Sequence, residues 1–272
     1  PLFLVDSPSV SAAASRYPNP MQAVYVAMWS GPRNISTALM RSFESRRDCQ
    51  VVDEPFYGHY LRQTGKIHPM GDQIMATMEC DAGKIAEELR SPLEPGIGVH
   101  YQKHMAHHLL PQMDRSWMEG MRHAFLIREP RAMLASLGAK LGPVRLEDTG
   151  LPQQVELFRE QLRAQGAPPP VIDSADLLNA PGPMLSALCK GLDIPNDDHM
   201  LRWESGPRTT DGIWGSHWYA NTEKSTGFRA PPSALPSAAP GPSPLTADLE
   251  LLLPECERLY QLLTDHRIQP VL

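Results

Sequence analysis

Five short apolar runs punctuate this chain, and the apolar residues between them fall at helical spacing. Val24–Met28, Val51–Val52, Ile97–Gln102, Ala124–Ile127 and Val171–Ile172 predict buried strands. Ile35, Leu39 and Phe43 predict a helix directly after the first run. Met133, Leu134 and Leu137 predict another after the fourth, with Pro130 in its first turn, where a missing N–H is tolerated. Gln153–Gln165 and the stretch carrying Leu185, Leu188 and Leu192 predict two more, the latter between Pro183 and Gly191. Strands alternating with helices imply a three-layer α/β fold around a mainly parallel sheet, covered on both faces.

The boundaries follow from composition. Residues 1–20 are small and Ser/Pro-rich with one basic residue, Arg16, and are expected to be a disordered lead-in or the remnant of a transit peptide. Residues 21–229 form the α/β domain. Residues 230–245 are a loop rich in Pro, Ser and Ala that cannot form a core. Residues 246–272 are expected to add a terminal helix to the same domain, interrupted or kinked at Pro254.

A net charge of -6 argues against a nucleic-acid binder, which needs a basic face. The four cysteines are scattered without a CxxC pair, so neither a zinc ribbon nor a disulfide framework is indicated and a cytoplasmic setting is the default. An organelle reached through a transit peptide is the alternative. No apolar stretch is long enough to span a bilayer. Oligomeric state cannot be read.

Between the first strand and the first helix lies Ser30-Gly31-Pro32-Arg33-Asn34-Ile35-Ser36-Thr37. Backbone N–H groups converge at such a junction, and the helix start adds positive potential, so the loop suits an anion or simply a capped turn. Arg33, Ser36 and Thr37 add donors. The Gly-Lys pair of ATP- and GTP-binding loops is missing, which counts against a kinase or ATPase. After the fourth strand comes Arg128, and Ser136 lies eight positions later on the following helix.

These two segments, in this order, resemble the sulfotransferase superfamily. Its members hold the 5′-phosphosulfate of 3′-phosphoadenylyl sulfate in a loop after the first strand, and the 3′-phosphate with an Arg and a Ser spaced in this way. Asp53-Glu54-Pro55-Phe56 is similar to the acidic segment after the second strand of bacterial-type members. Asp173 to Ile194 looks like their late strand, helix and loop. The first loop resembles a subgroup found alone or fused to aminotransferase-like domains. The resemblance runs from about Val24 to about Phe228. It implies donor contacts from Gly31, Pro32, Arg33, Asn34, Ile35, Ser36 and Thr37, and from Arg128 and Ser136. The Arg-Lys-Gly run with which cytosolic members close over the 3′-phosphate is absent. Within Lys224-Ser225-Thr226-Gly227-Phe228, the residues Ser225, Thr226 and Gly227 are the nearest substitute.

The activity implied is sulfuryl transfer to the hydroxyl or amine of a small acceptor, with 3′,5′-bisphosphoadenosine as product and no metal. Arg33 would stabilise developing charge. Glu54 and His104 are the candidates for the base, and Lys103 is the other catalytic candidate. Cytosolic members show Lys-x-His where this chain has Lys103-His104, one residue shorter, and on a strand that shift turns a side chain to the opposite face. Near a cationic donor site Glu54 is expected to have a depressed pKa unless burial counteracts the charge. His100, His104, His107 and His108 invite a zinc reading that no HExxH pattern supports. Trp203, Trp214, Trp218 and Tyr219 are expected to close the core or to wall a pocket, and acceptor contacts are expected from insertions around Tyr57 to Leu93. A nucleotide kinase or hydrolase and a non-catalytic nucleotide-binding domain are the rival readings.

Overall fold

The computed structural model describes residues 23–229 and 244–270. The expected leader and residues 230–243 of the Pro-rich loop lie outside the described residues. The chain runs through β1 (Val24–Ser30), α1 (Ser36–Glu44), β2 (Cys49–Asp53), α2 (Tyr57–Thr64), α3 (Gly71–Thr77), α4 (Ala82–Leu89) and β3 (Val99–Met105). It continues with β4 (Arg122–Ile127), α5 (Pro130–Gly138), α6 (Leu151–Gln165), β5 (Val171–Asp173), α7 (Ser174–Asn179), α8 (Pro181–Gly191), α9 (Gly215–Trp218) and α10 (Ala247–Thr264). All five strands pair in parallel, in the order β2-β3-β1-β4-β5. The fold is the three-layer α/β arrangement that the five apolar runs imply.

Alternation along β1 divides the core. Val26 and Met28 pack on one face with Leu39, Met40 and Phe43 of α1 and with Leu185 and Leu188 of α8. Ala27 and Trp29 pack on the other face with Met133, Leu134 and Leu137 of α5 and with α6 and α10. This is the period of two expected of a strand buried on both faces. Because the helices after β1 and β4 cover opposite faces, the loops that follow these adjacent strands diverge. The crevice between them, at the carboxyl ends of the strands, is where open parallel sheets bind ligands.

Two expectations about elements need correction. β3 does not end at Gln102 but continues through Met105, so His104 is still in the strand. Pro254 lies inside α10 without ending it. The expected insertion around Tyr57 to Leu93 folds as α2, α3 and α4; Tyr57, Tyr60 and Leu61 of α2 and Ile74 of α3 form a separate small core with Trp214 and Tyr219.

Candidate functional site

The shape of the anion loop after β1 is set by its neighbours. A side chain at Gly31 would collide with the carbonyl oxygen of Thr149, on the 146–149 turn that covers the loop from behind. Asn34 donates from Nδ2 to the Leu126 carbonyl at 3.3 Å, and Gln154 donates to the carbonyls of Trp29 and Leu126 at 3.1 Å each, fastening the ends of β1 and β4 together. Arg33 (φ 63) and Ile35 (φ 59) adopt left-handed backbone, which costs a non-glycine residue about 1 kcal/mol or more. Glu54 (φ 45) does the same. These are three of the five non-glycine residues with positive φ among the described residues, and all three line one cavity. Strain gathered in this way marks a site.

That cavity has a volume of about 340 Å³ and reaches from the start of α1 to the C-terminal end of β3. At one end stand Arg33, Ser36, Thr37, Arg128 and Ser136. Arg33 Nε donates to Ser136 Oγ at 3.0 Å, and Arg128 donates to the Arg33 carbonyl at 2.5 Å. Neither guanidinium makes an ion pair among the described residues. Burial lowers the pKa of both, and for Arg128 the nearby Arg33 lowers it further. Glu129 and Asp173 pull the Arg128 pKa the other way, but neither arginine has an ion-pair partner among the described residues, and beside a helix start that has no side-chain cap the two cations suit an anion.

At the other end one ammonium faces two carboxylates. Lys103 is fully buried, with Nζ 2.6 Å from Asp53 Oδ1, 2.6 Å from Glu54 Oε1 and 2.9 Å from the Tyr219 hydroxyl. Tyr219 donates to Asp53 Oδ2 at 2.7 Å and accepts from Trp214 Nε1 at 2.9 Å. Burial opposes the charge on Lys103, but Asp53 and Glu54 outweigh it and raise its pKa, so it stays an ammonium and cannot act as a base. Burial also dominates at Glu54 and raises its pKa, despite the opposing pull of Lys103. The expected depression is absent for the reason foreseen as its exception: the carboxyl is buried. Near neutral pH a raised carboxyl is the better proton acceptor.

Losing the cation should be costly here. Lys103→Met is expected to destabilise the fold by roughly 3–5 kcal/mol at pH 7, since two buried carboxylates then face each other unpaired. The pair would take up a proton in the native state, so its native pKa lies above the unfolded value. Stability from such a group is present at low pH and lost as pH rises, and the deficit relative to wild type should shrink toward pH 5. Urea unfolding of both proteins at pH 7 and pH 5 checks this. An equal deficit at both would assign the loss to packing instead of charge.

His104 is not at this site. Alternation along β3 turns it to the face opposite Lys103, where it stacks on Trp29 with centroids 4.5 Å apart, and Nε2 lies 3.2 Å from Gln102 Oε1. Burial pushes its pKa down to about 3. Nor do Ser225, Thr226 and Gly227 line the cavity. Ser225 Oγ accepts from Trp203 Nε1 at 3.0 Å, the Thr226 carbonyl accepts from the Trp203 amide, and a side chain at Gly227 would press on the Leu201 carbonyl. The segment packs along residues 201–203, and Asn221 and Thr222 reach the cavity in its place. His107 and His108 line the cavity and were not assigned to it from sequence, where the histidine cluster was their only signal; of the four late aromatic residues expected to close the core or wall a pocket, Trp218 and Tyr219 line the cavity. No group of three or more His, Cys, Asp or Glu side chains suited to a metal occurs among the described residues. No helix among them is long and apolar enough to cross a membrane.

Two Arabidopsis thaliana proteins are similar: branched-chain-amino-acid aminotransferase-like protein 2 is 36% identical over 239 residues, covering 88% of this chain and 41% of that protein. Aminotransferase-like protein 1 is 37% identical over 206 residues, covering 75% of this chain and 36% of its own length. The chain thus spans less than half the length of these relatives. Among solved structures, the sulfotransferase domain of the Synechococcus PCC 7002 olefin synthase aligns over 89% of this chain and 98% of its own, with 16% identity and a TM-score of 0.49. The sulfotransferase domain from the curacin biosynthetic pathway aligns over 88% and 99%, with 12% identity and a TM-score of 0.44. The family model described as sulfotransferase domain matches residues 24–247, from β1 to the first residue of α10, and the chain belongs to that family.

Proposed function

We propose that this protein moves a sulfuryl group from 3′-phosphoadenylyl sulfate to a hydroxyl or amine of a small acceptor, releasing 3′,5′-bisphosphoadenosine. Membership in the sulfotransferase domain family supports sulfuryl transfer in general. The observation that carries the particular donor is the pair of half-buried arginines, Arg33 and Arg128, with no carboxylate partner and Ser136 between them. A donor carrying a 5′-phosphosulfate and a 3′-phosphate supplies two anions for two cations that have no ion-pair partner among the described residues.

In this reading the 5′-phosphosulfate lies against the free N–H groups at the start of α1, with Arg33, Ser36 and Thr37 around it. Arg128 and Ser136 take the 3′-phosphate. The acceptor oxygen or nitrogen forms its bond to sulfur as the bond from sulfur to the bridging phosphate oxygen breaks. Arg33 meets the negative charge that grows on that oxygen. The acceptor's proton passes to Glu54, and the bisphosphate leaves with the electron pair of the broken bond. No metal takes part. Lys103 fixes Glu54 through its bond to Oε1, leaving Oε2 to take the proton.

Calorimetry tests the donor assignment. Arg128→Ala is expected to weaken 3′,5′-bisphosphoadenosine by roughly 2–4 kcal/mol, the range for removing one partner of a desolvated charge contact. Adenosine 5′-phosphate, which lacks the 3′-phosphate, should lose far less. Equal losses for both nucleotides would remove Arg128 from that role, and labelled donor giving no sulfated product from any acceptor in a cell extract would overturn the activity.

A further inference from the structure

Asp53 and Glu54 share the ammonium of Lys103 at the same distance, 2.6 Å, but beyond that bond their surroundings differ. Asp53 Oδ2 accepts from the Tyr219 hydroxyl at 2.7 Å and from the Gly212 amide at 3.3 Å. Glu54 Oε1 is 3.4 Å from the same hydroxyl, and Oε2 makes no hydrogen bond among the described residues. The Asp53 side chain is 1% exposed and that of Glu54 10%, and only Glu54 lines the cavity.

A phenol has one proton to give. In Tyr219 it goes to Asp53, because the other two close partners, Trp214 Nε1 and Lys103 Nζ at 2.9 Å each, are themselves donors. Burial, then Asp53 and Glu54, raise the Tyr219 pKa well above its ordinary value, so the phenol keeps that proton. Gly212, Trp214 and Tyr219 belong to one late segment, which Asp211 ties to the buried Arg41 of α1 at 2.5 Å. The donors that distinguish Asp53 from Glu54 are therefore held as a unit.

We propose, building on the sulfuryl-transfer reading, that Tyr219 is a positioning residue that divides the work between the two carboxylates: its proton keeps Asp53 as the fixed counter-charge of Lys103 and leaves Glu54 to take the acceptor's proton. Two carboxylates sharing one cation would otherwise divide an incoming proton between them. A proton on Asp53 is lost to the reaction, since that side chain does not reach the cavity. Nothing else that faces Glu54 can make the choice. Lys103 touches both carboxylates alike. His108 Nδ1 lies 4.0 Å from Oε2, and burial lowers the His108 pKa well below its ordinary value, so the ring is neutral. Tyr57 of α2 is neutral as well, its pKa raised by burial, and its hydroxyl is 2.8 Å from His68 Nδ1.

Two variants with opposite expected effects test this. Tyr219→Phe keeps the ring and removes the proton given to Asp53, so the pair takes up its first proton at higher pH and shares it. The acid limb of kcat/KM should move up by about one pH unit, with affinity for 3′,5′-bisphosphoadenosine within about twofold of wild type. Asp53→Asn removes the neighbouring negative charge and frees the Tyr219 proton to turn toward Glu54, so the limb should move down by about as much. NMR of the side-chain carboxyl carbons reads the same division without turnover. In the wild type the Glu54 resonance should titrate first and alone, whereas in Tyr219→Phe those of Asp53 and Glu54 should move together. An unmoved limb and unmoved resonances in Tyr219→Phe, even with a lower kcat, would reduce Tyr219 to a packing role and overturn the inference. Titration of Asp53 before Glu54 in the wild type would overturn it without any variant, and so decides the matter if Tyr219→Phe does not fold. Failure of the bisphosphate to bind, with the titrations as expected, would instead overturn the donor reading and leave this division standing.

Discussion

Glu54→Gln is expected to lower kcat by about 10³-fold or more while leaving affinity for 3′,5′-bisphosphoadenosine within about twofold of wild type. The amide keeps the size of the carboxyl and can still bond to Lys103 Nζ and the Tyr219 hydroxyl, both of which now reach Oε1. It cannot accept the proton that an alcohol must lose. Because burial raises the Glu54 pKa, the acid limb of kcat/KM in the wild type should fall above the ordinary glutamate value of about 4.3. Activity is present when the carboxyl is ionised and is lost as pH falls through that raised pKa. Steady-state rates across pH, with calorimetry of each variant, separate chemistry from binding. If His104→Gln abolished turnover and Glu54→Gln did not, the base would have to act from the far face of the sheet, and the site described here would be wrong.

Acid should unfold this protein unusually early. Burial pushes His104 and His107 down to about 3 and His123 to about 4, whereas in the unfolded chain each titrates near 6.5. A group with a depressed native pKa gives stability above its unfolded pKa and loses it as pH falls. The loss therefore opens at about pH 6.5 and continues to about pH 3–4. Each histidine contributes up to about 1.4 kcal/mol per pH unit, so the three together approach about 4 kcal/mol per unit below pH 6. Against a typical stability of about 5–15 kcal/mol, unfolding is expected around pH 5 or a little below. Glu54 works in the opposite direction, since its native pKa is raised, but it is one group against three. Urea unfolding at successive pH values checks the slope, and a flat stability between pH 7 and 5.5 would contradict the assignment of these rings as buried and neutral.

How much of this was open to a reading of the sequence depended on the distance over which each feature is decided. The five strands and the loop after β1 were legible because each is a local pattern: an apolar run, then Gly-Pro, then helical spacing. Arg128 and Ser136 were legible because a fixed separation along one strand and one helix joins them. The ends of β3 were not, since a strand buried on both faces can carry His100, Gln102 and His104 as readily as Val99 and Tyr101. That one misplaced end decided the fate of His104. Helices α2 and α3 were not legible because they are only eight and seven residues long, too short for an apolar period to repeat. Their stability comes from packing against Trp214 and Tyr219, which lie well over a hundred residues later. The Lys103 cluster was hidden for the same reason: Tyr219 and Lys103 are 116 positions apart. No local rule links a buried lysine to a tyrosine that reaches it only once the late segment has folded back.

The position of β1 also governs the order in which this molecule can come into being. β1 is the first strand among the described residues, and both its neighbours are made much later: Val24 pairs with Val99, and Val26 with Arg122. On the ribosome it must wait about 75 residues for one neighbour and about 96 for the other, with Trp29 lacking its packing partners on α5. Such remote pairing is entropically slow. Every fragment that stops short of β4 lacks the crevice altogether, because Asn34 and Arg128 have nothing to meet across. The nucleotide binding proposed for this chain would thus be a late property of synthesis, acquired all at once when the sheet's middle strand gains its second neighbour.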